Sequence, residues 1–211
     1  MSIGKQVADA IDKMIANDPE GALHALCSAI DATATKEYGK RGRASFKDFI
    51  GSNFGLITGV AFGPKILNMR LGFVHPDLKP TPDGTHSIQD IFYVAVRCNL
   101  YHETALPPNI TFVKDGLIQV NNGAIVLCER LIYGLMTVVV VAPVNHAEQS
   151  PNPNMICIKD VPLPISKLWG KRAEFSWLLE SLNEASGIIK TMQLEYEREQ
   201  AWKPKPPNYV I

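Results

Sequence analysis

Residues 131–144 read LIYGLMTVVVVAPV and form the most hydrophobic run of the chain. Such a run must leave water, yet it falls short of the roughly 20 residues needed to cross a bilayer. It is therefore read as a buried core element that amphipathic neighbours have to surround. Residues 124–142 as a whole are apolar almost throughout. Their four successive valines allow a strand, but the length and the ERLIYGLM lead-in predict one buried helix, ended by Pro143. The apolar fraction of 46% in 211 residues supplies a core for one domain spanning 1–211.

The surrounding helices are legible from spacing. Ile3, Val7, Ala10, Ile11, Met14 and Ile15 recur at helical intervals over 3–16. Asp18-Pro19-Glu20 supplies a cap, a first-turn proline and a first-turn acid for a helix over 19–38, which Gly39 ends. Along that helix His24, Ser28, Asp31 and Thr35 form a polar stripe about 60° wide. Ser45 with Asp48, and Ser87 with Asp90, have capping-box spacing and predict two further helix starts. Residues 59–86 read mostly as loop, and a helix is expected from about 171 to 185. ITFVKDGLIQV predicts a β-hairpin over 109–120, and ICIKDVPLPI reads as extended. The Pro-rich end, 200–211, is expected to be an extended tail. The fold class is mainly α.

Lysine plus arginine equal aspartate plus glutamate at 21 each, so bulk charge attracts neither nucleic acid nor an anionic membrane. A local patch could: Lys36, Lys40, Arg41, Arg43 and Lys47 stand against Glu37 alone in KEYGKRGRASFK. Of these, Lys40, Arg41, Arg43 and Lys47 are the candidate RNA-binding residues. Cys27, Cys98, Cys128 and Cys157 lack ligand spacing and read as free thiols of a reducing cytoplasm. His75, Asp77, Asp83 and His86 are metal-competent types, but their spacing across three prolines matches no ligand template, and no metal or cofactor is expected. The N-terminus lacks a hydrophobic signal core. Phosphate-loop, dinucleotide-binding, GxSxG and HExxH signatures do not occur.

One arginine sits in an apolar helical stretch, VAVRCNLYHETAL at 94–106, five positions before a histidine. Arginine is seldom buried without a partner. At about 100° per residue Arg97 aligns with Tyr93 and Tyr101, whereas His102 aligns with Cys98. Arg97 and His102 can thus meet only where the helix ends or across a second chain. Without a metal, such a pair suits phosphodiester chemistry: the guanidinium holds phosphate and the imidazole moves a proton. Asn99, Tyr101, Glu103, His24 and Asp31 are the supporting candidates. Alternatively, Arg97 pairs with an acid such as Asp31 or Asp90, and His102 caps a helix end.

RCNLYH, 97–102, resembles the motif of the HEPN group, in which four to six residues separate arginine from histidine near the end of a late helix. The helices expected over about 3–58 and 87–142 are compatible with that group. The resemblance implies an antiparallel helical bundle that forms a homodimer, here with the hairpin inserted after the motif helix. It implies a metal-independent endoribonuclease with Arg97 and His102 catalytic, RNA as substrate, and a place in toxin–antitoxin or phage-defence systems with an antitoxin or other protein partner. Cys98 stands where active members often carry a polar residue. Relatives that have lost activity imply the other expectation, a non-catalytic helical interaction or regulatory protein.

Overall fold

A computed structural model describes residues 2–103, 105–152, 154–158 and 161–184. Its elements are α1 (Ile3–Ile15), α2 (Pro19–Tyr38), α3 (Arg43–Phe62), β1 (Arg70–Leu71), β2 (His86–Ser87), α4 (Ile88–Ile91), a π-helix (Phe92–Cys98), α5 (Asn99–His102), β3 (Ile110–Val113), β4 (Gln119–Asn121), β5 (Ala124–Cys128), α6 (Arg130–Val141), β6 (Met155–Ile158), β7 (Val161–Pro164) and α7 (172–184). The fold is mainly α, as its periodicity predicts.

α1 and α2 form where the apolar spacing places them. Asp18 accepts the Gly21 N–H at 2.9 Å, and Gly39 closes α2 at φ 69°, a left-handed cap that glycine adopts without strain. α1 packs on α2, α2 on α3, and α6 lies against both α2 and α3. Phe46, Phe49, Ile50, Phe54 and Ile57 of α3 and Leu135, Val138 and Val139 of α6 belong to one hydrophobic core, all essentially without solvent contact. The crossing is close at Gly134, where a Cβ would sit 2.4 Å from the Ile57 carbonyl oxygen. Beyond α6, the buried Asn145 amide donates to Thr33 Oγ1 (2.9 Å) and Val139 O (2.8 Å), tying the end of α6 to α2.

The apolar stretch 124–142 divides into two elements. Residues 124–128 form the central strand of a three-stranded sheet, and only 130–141 are helical. The hairpin expected over 109–120 does not form, because β5 lies between β3 and β4. It pairs in parallel with β3 (Ile110 with Ile125) and antiparallel with β4 (Val120 with Ile125). β6 and β7 form a separate antiparallel pair. The Ser45 capping box is replaced as well. α3 starts earlier, at Arg43 after Gly42, and the Ser45 hydroxyl donates to Lys40 O. The extended tail expected at 200–211 lies outside the described residues. Among the described residues no helix is long and apolar enough to cross a membrane.

The cap at Ser87 forms as its spacing predicts: Ser87 Oγ accepts the Asp90 N–H and donates to Asp90 Oδ2. Burial works against the Asp90 charge, but hydrogen bonds from Lys47 and Ser87, with Lys47 and Arg43 as cations, hold its carboxyl below the ordinary range. A depressed folded-state pKa contributes stability above the unfolded carboxylate value, about 3.9, and that stability is lost as pH falls through the folded value. Asp90→Asn is therefore expected to lower the urea midpoint at neutral pH and to narrow its distance from wild type as the pH falls through that window. A constant gap across the titration would exclude this contribution.

Candidate functional site

Residues 88–102 run as one helix whose middle, Phe92–Cys98, is a π-helix. π turns close over five residues instead of four and cluster at functional sites. Asn99 accounts for much of this one. Its side-chain amide donates back to Val94 O (3.2 Å) and Ala95 O (3.1 Å), and lies 3.4 Å from Nε2 of the buried His75. At the far end, Glu20 at the start of α2 accepts the Leu106 N–H at 2.6 Å. That contact fixes the end of the motif helix over α2.

The wide turns lay Arg97 across Asp31 of α2. Arg97 donates from Nε (3.0 Å) and Nη2 (2.8 Å) to Asp31 Oδ2. The Arg97 and Asp31 side chains are 17% and 8% exposed, so water screens the pair poorly. The guanidinium lies 4.3 Å from the centroid of the Tyr101 ring and 5.5 Å from that of Tyr93. Burial disfavours its charge, but the hydrogen bonds and charge of Asp31 outweigh this and raise the Arg97 pKa further. Tyr101 bonds hydroxyl to hydroxyl with Ser28, and the His24 ring meets it edge-on at 5.6 Å. Burial, with the Asp31 charge behind it, pushes the phenol up and keeps it protonated. Beneath this cluster, burial raises the Cys27 thiol far above its ordinary value, so it is not a nucleophile at neutral pH.

The cluster borders an open cleft of about 510 Å³ lined by Gln6, Ser28, Asp31, Thr35, Arg41 and Tyr101. His24 lines a smaller neighbouring depression together with Gln6 and Ser28. The structure thus brings Arg97, Asp31, Tyr101 and His24 together and adds Arg41 at the rim. The other candidates fall elsewhere. His102 is exposed at the end of α5 and does not line the cleft. Glu103 is exposed, and its N–H closes α5 on Asn99 O. Asn99 turns back into its own helix, as described above, and serves the π turns.

The basic connection divides. Lys47 (2.6 Å) and Arg43 (3.3 Å) share Asp90, and Arg43 also covers Tyr93, whereas Lys40 and Arg41 are exposed and form no ion pair among the described residues. Of His75, Asp77, Asp83 and His86, His75 and Asp77 approach each other (Nδ1 to Oδ2, 4.0 Å), but Asp83 binds the N–H and hydroxyl of Thr85, and among the described residues no three such side chains gather. Three cleft residues escape a reading of motifs. Ser28 and Thr35 appear only as members of the polar stripe. Gln6 lies at the edge of the α1 apolar stripe, and its buried Oε1 has no partner.

The family model Rv1289 matches residues 2–196. No curated protein and no solved structure matches the chain.

Proposed function

The chain belongs to the Rv1289 family, whose function is unknown, and from its cleft we propose that it binds a phosphorylated, hydroxyl-bearing ligand of the ribonucleotide type. One observation carries the reading: Arg41, an exposed cation with no acid partner among the described residues, shares the cleft with unsatisfied acceptors. Among the described residues Gln6 Oε1 accepts from none, and Asp31 uses Oδ2 for Arg97 while its Oδ1 accepts from none. A phosphate suits Arg41, and ribose hydroxyls suit the two acceptors. Tyr101, 37% exposed, lines the cleft beside them.

The test is calorimetric titration with a ribonucleoside monophosphate and its 2′-deoxy analogue. Arg41→Gln should weaken binding about tenfold, the worth of one charge-assisted hydrogen bond, and the deoxy compound should bind more weakly than its parent. Equal affinity of wild type and Arg41→Gln would dismiss the cleft as the binding site.

A second reading adds cleavage to binding. His102 is exposed one position beyond Tyr101, where it is free to work as acid or base. Asp31 occupies Arg97 within the chain, so this reading requires the HEPN-type arrangement: an antiparallel bundle, dimerised through 19–38 and 87–105, with both motifs in one cleft. A role in a toxin–antitoxin or phage-defence system, with an antitoxin as partner, would follow from that activity. Wild type should then cleave RNA in EDTA and elute as a dimer, while His102→Ala, folded by circular dichroism, should lose at least about 10²-fold in rate. Equal cleavage by both proteins, or none, leaves binding as the function.

A further inference from the structure

A second cavity, about 350 Å³, lies away from the Arg97 cluster, between the segment after α6 and the turn leading into α7. Its lining includes His146, Glu148, Ser150, Trp169 and Lys171. Trp169 is only 6% exposed, and among the described residues its indole N–H has no acceptor. The buried Ser150 hydroxyl likewise has no partner among them. A buried donor left unpaired costs roughly 1–3 kcal/mol, so two on one cavity point to an acceptor that enters from outside.

The charges define that acceptor. Glu148, the acid on the lining, is already committed: Oε1 takes Lys36 at 2.7 Å and Oε2 takes the Gly4 N–H at 3.1 Å. Lys171 is exposed and pairs with no acid among the described residues. The lining therefore carries two unpaired donors and one cation, Lys171, that no acid among the described residues compensates. The wall is rigid, because Gly170 adopts φ 76° and a Cβ there would lie 2.6 Å from His146 Cβ. The Gly170 N–H also donates to Val140 O at 3.0 Å, which anchors this turn to α6.

We propose that this cavity is a second ligand site, taking a small free carboxylate whose oxygens accept from Trp169 Nε1–H and the Ser150 hydroxyl, with Lys171 balancing the charge. It is independent of the ribonucleotide reading, and its test involves neither Arg41 nor His102. The indole N–H resonances of the full chain are followed by ¹H–¹⁵N correlation during titration with sodium acetate and sodium succinate. Sodium chloride at equal ionic strength is the control. The Trp169 resonance is identified by its loss in Trp169→Phe, and Trp177→Phe with Trp202→Phe serve for assignment by elimination if that variant does not fold.

The Trp169 resonance should move saturably with the carboxylates and stay still in chloride, while that of the exposed Trp177 stays still in both. Lys171→Met should raise the apparent Kd about tenfold and Ser150→Ala severalfold. A Trp169 signal that never moves, or that moves equally with chloride, shows a hydrated cavity and overturns the proposal. A short peptide with a free C-terminal carboxylate is titrated in parallel. Tighter binding of the peptide than of succinate overturns the free-ligand assignment in favour of a chain terminus.

Discussion

Asp31→Asn is expected to remove about 3 kcal/mol of folding stability, although it changes only one atom of the side chain. The amide still fits between α2 and the π-helix, but it cannot balance the guanidinium above it. Arg97 retains too little water to solvate its charge alone, with 17% of its side chain exposed. Breaking a fully buried pair costs about 3–5 kcal/mol, and the remaining exposure of Arg97 places this pair at the lower end. In a chain of this length the loss corresponds to a fall in Tm of about 6–12 °C.

Arg97→Met and the double variant complete a thermodynamic cycle. Methionine keeps most of the volume and removes the unpaired charge, so the double variant should be more stable than Asp31→Asn alone. Identical urea midpoints for wild type and Asp31→Asn would show that the pair contributes nothing and that the cleft is framed in some other way. Because the predicted loss is a loss of folding, any effect of Asp31→Asn on ligand binding must be read below its transition temperature.

Gly134→Ala should be the other severe change, and its sign is the diagnostic. Alanine in a helix interior normally stabilises relative to glycine by about 1 kcal/mol. Here the new Cβ would meet backbone, 2.4 Å from Ile57 O and 3.1 Å from Ile57 C, so α6 must move off α3. That displacement opens the centre of the core, and a loss of about 3 kcal/mol is expected. Gly51→Ala provides the contrast. There the Cβ would meet only the end of the Gln89 side chain, which can swing aside, and stability should stay within about 1 kcal/mol of wild type. Similar urea midpoints for the two variants would argue that the α3–α6 crossing tolerates a methyl group.

Helix placement was legible wherever one face of a helix is buried. Val7 and Ala10, and then Leu23, Leu26, Cys27 and Ile30, repeat at helical spacing because α1 and α2 each have one side to hide. Residues 124–142 carry no such signal. Ile125, Leu127 and Cys128 are as buried as Leu131 and Leu135, and a strand and a helix with apolar surroundings produce the same unpatterned run. The strand ends at Cys128, with neither glycine nor proline to mark it. The false hairpin has a different origin. Lys114-Asp115-Gly116 does reverse the chain, but β3 pairs with β5 further along, and such long-range pairing leaves no local trace.

Much of the site was readable for the same reasons. The helical wheel places Tyr93 and Tyr101 beside Arg97, and both rings do face its guanidinium. Asp31 stood out as the acid of the α2 stripe. Gln6 and Arg41 reach the cleft through tertiary packing alone, and His102 left it because the helix carries that side chain outward.

The π turns have a consequence for how this segment tolerates change in length. Phe92–Cys98 holds its carbonyls over five-residue turns with Asn99 filling in behind. Deleting one residue between Phe92 and Val96 would let the same segment relax into an ordinary α-helix with a regular hydrogen-bond ladder. Closing over five residues lowers the rotation to about 80–85° per residue, so six α-helical residues turn about as far as the seven present, and the helix beyond would keep its direction relative to the Ser87 cap. Arg97 would stay within reach of Asp31 and Tyr101 of Ser28, while Asn99 would lose the carbonyls it now serves. The segment therefore holds one residue more than an ordinary helix needs over the same span. A single-codon deletion there would remove the bulge and spare the register of the cleft.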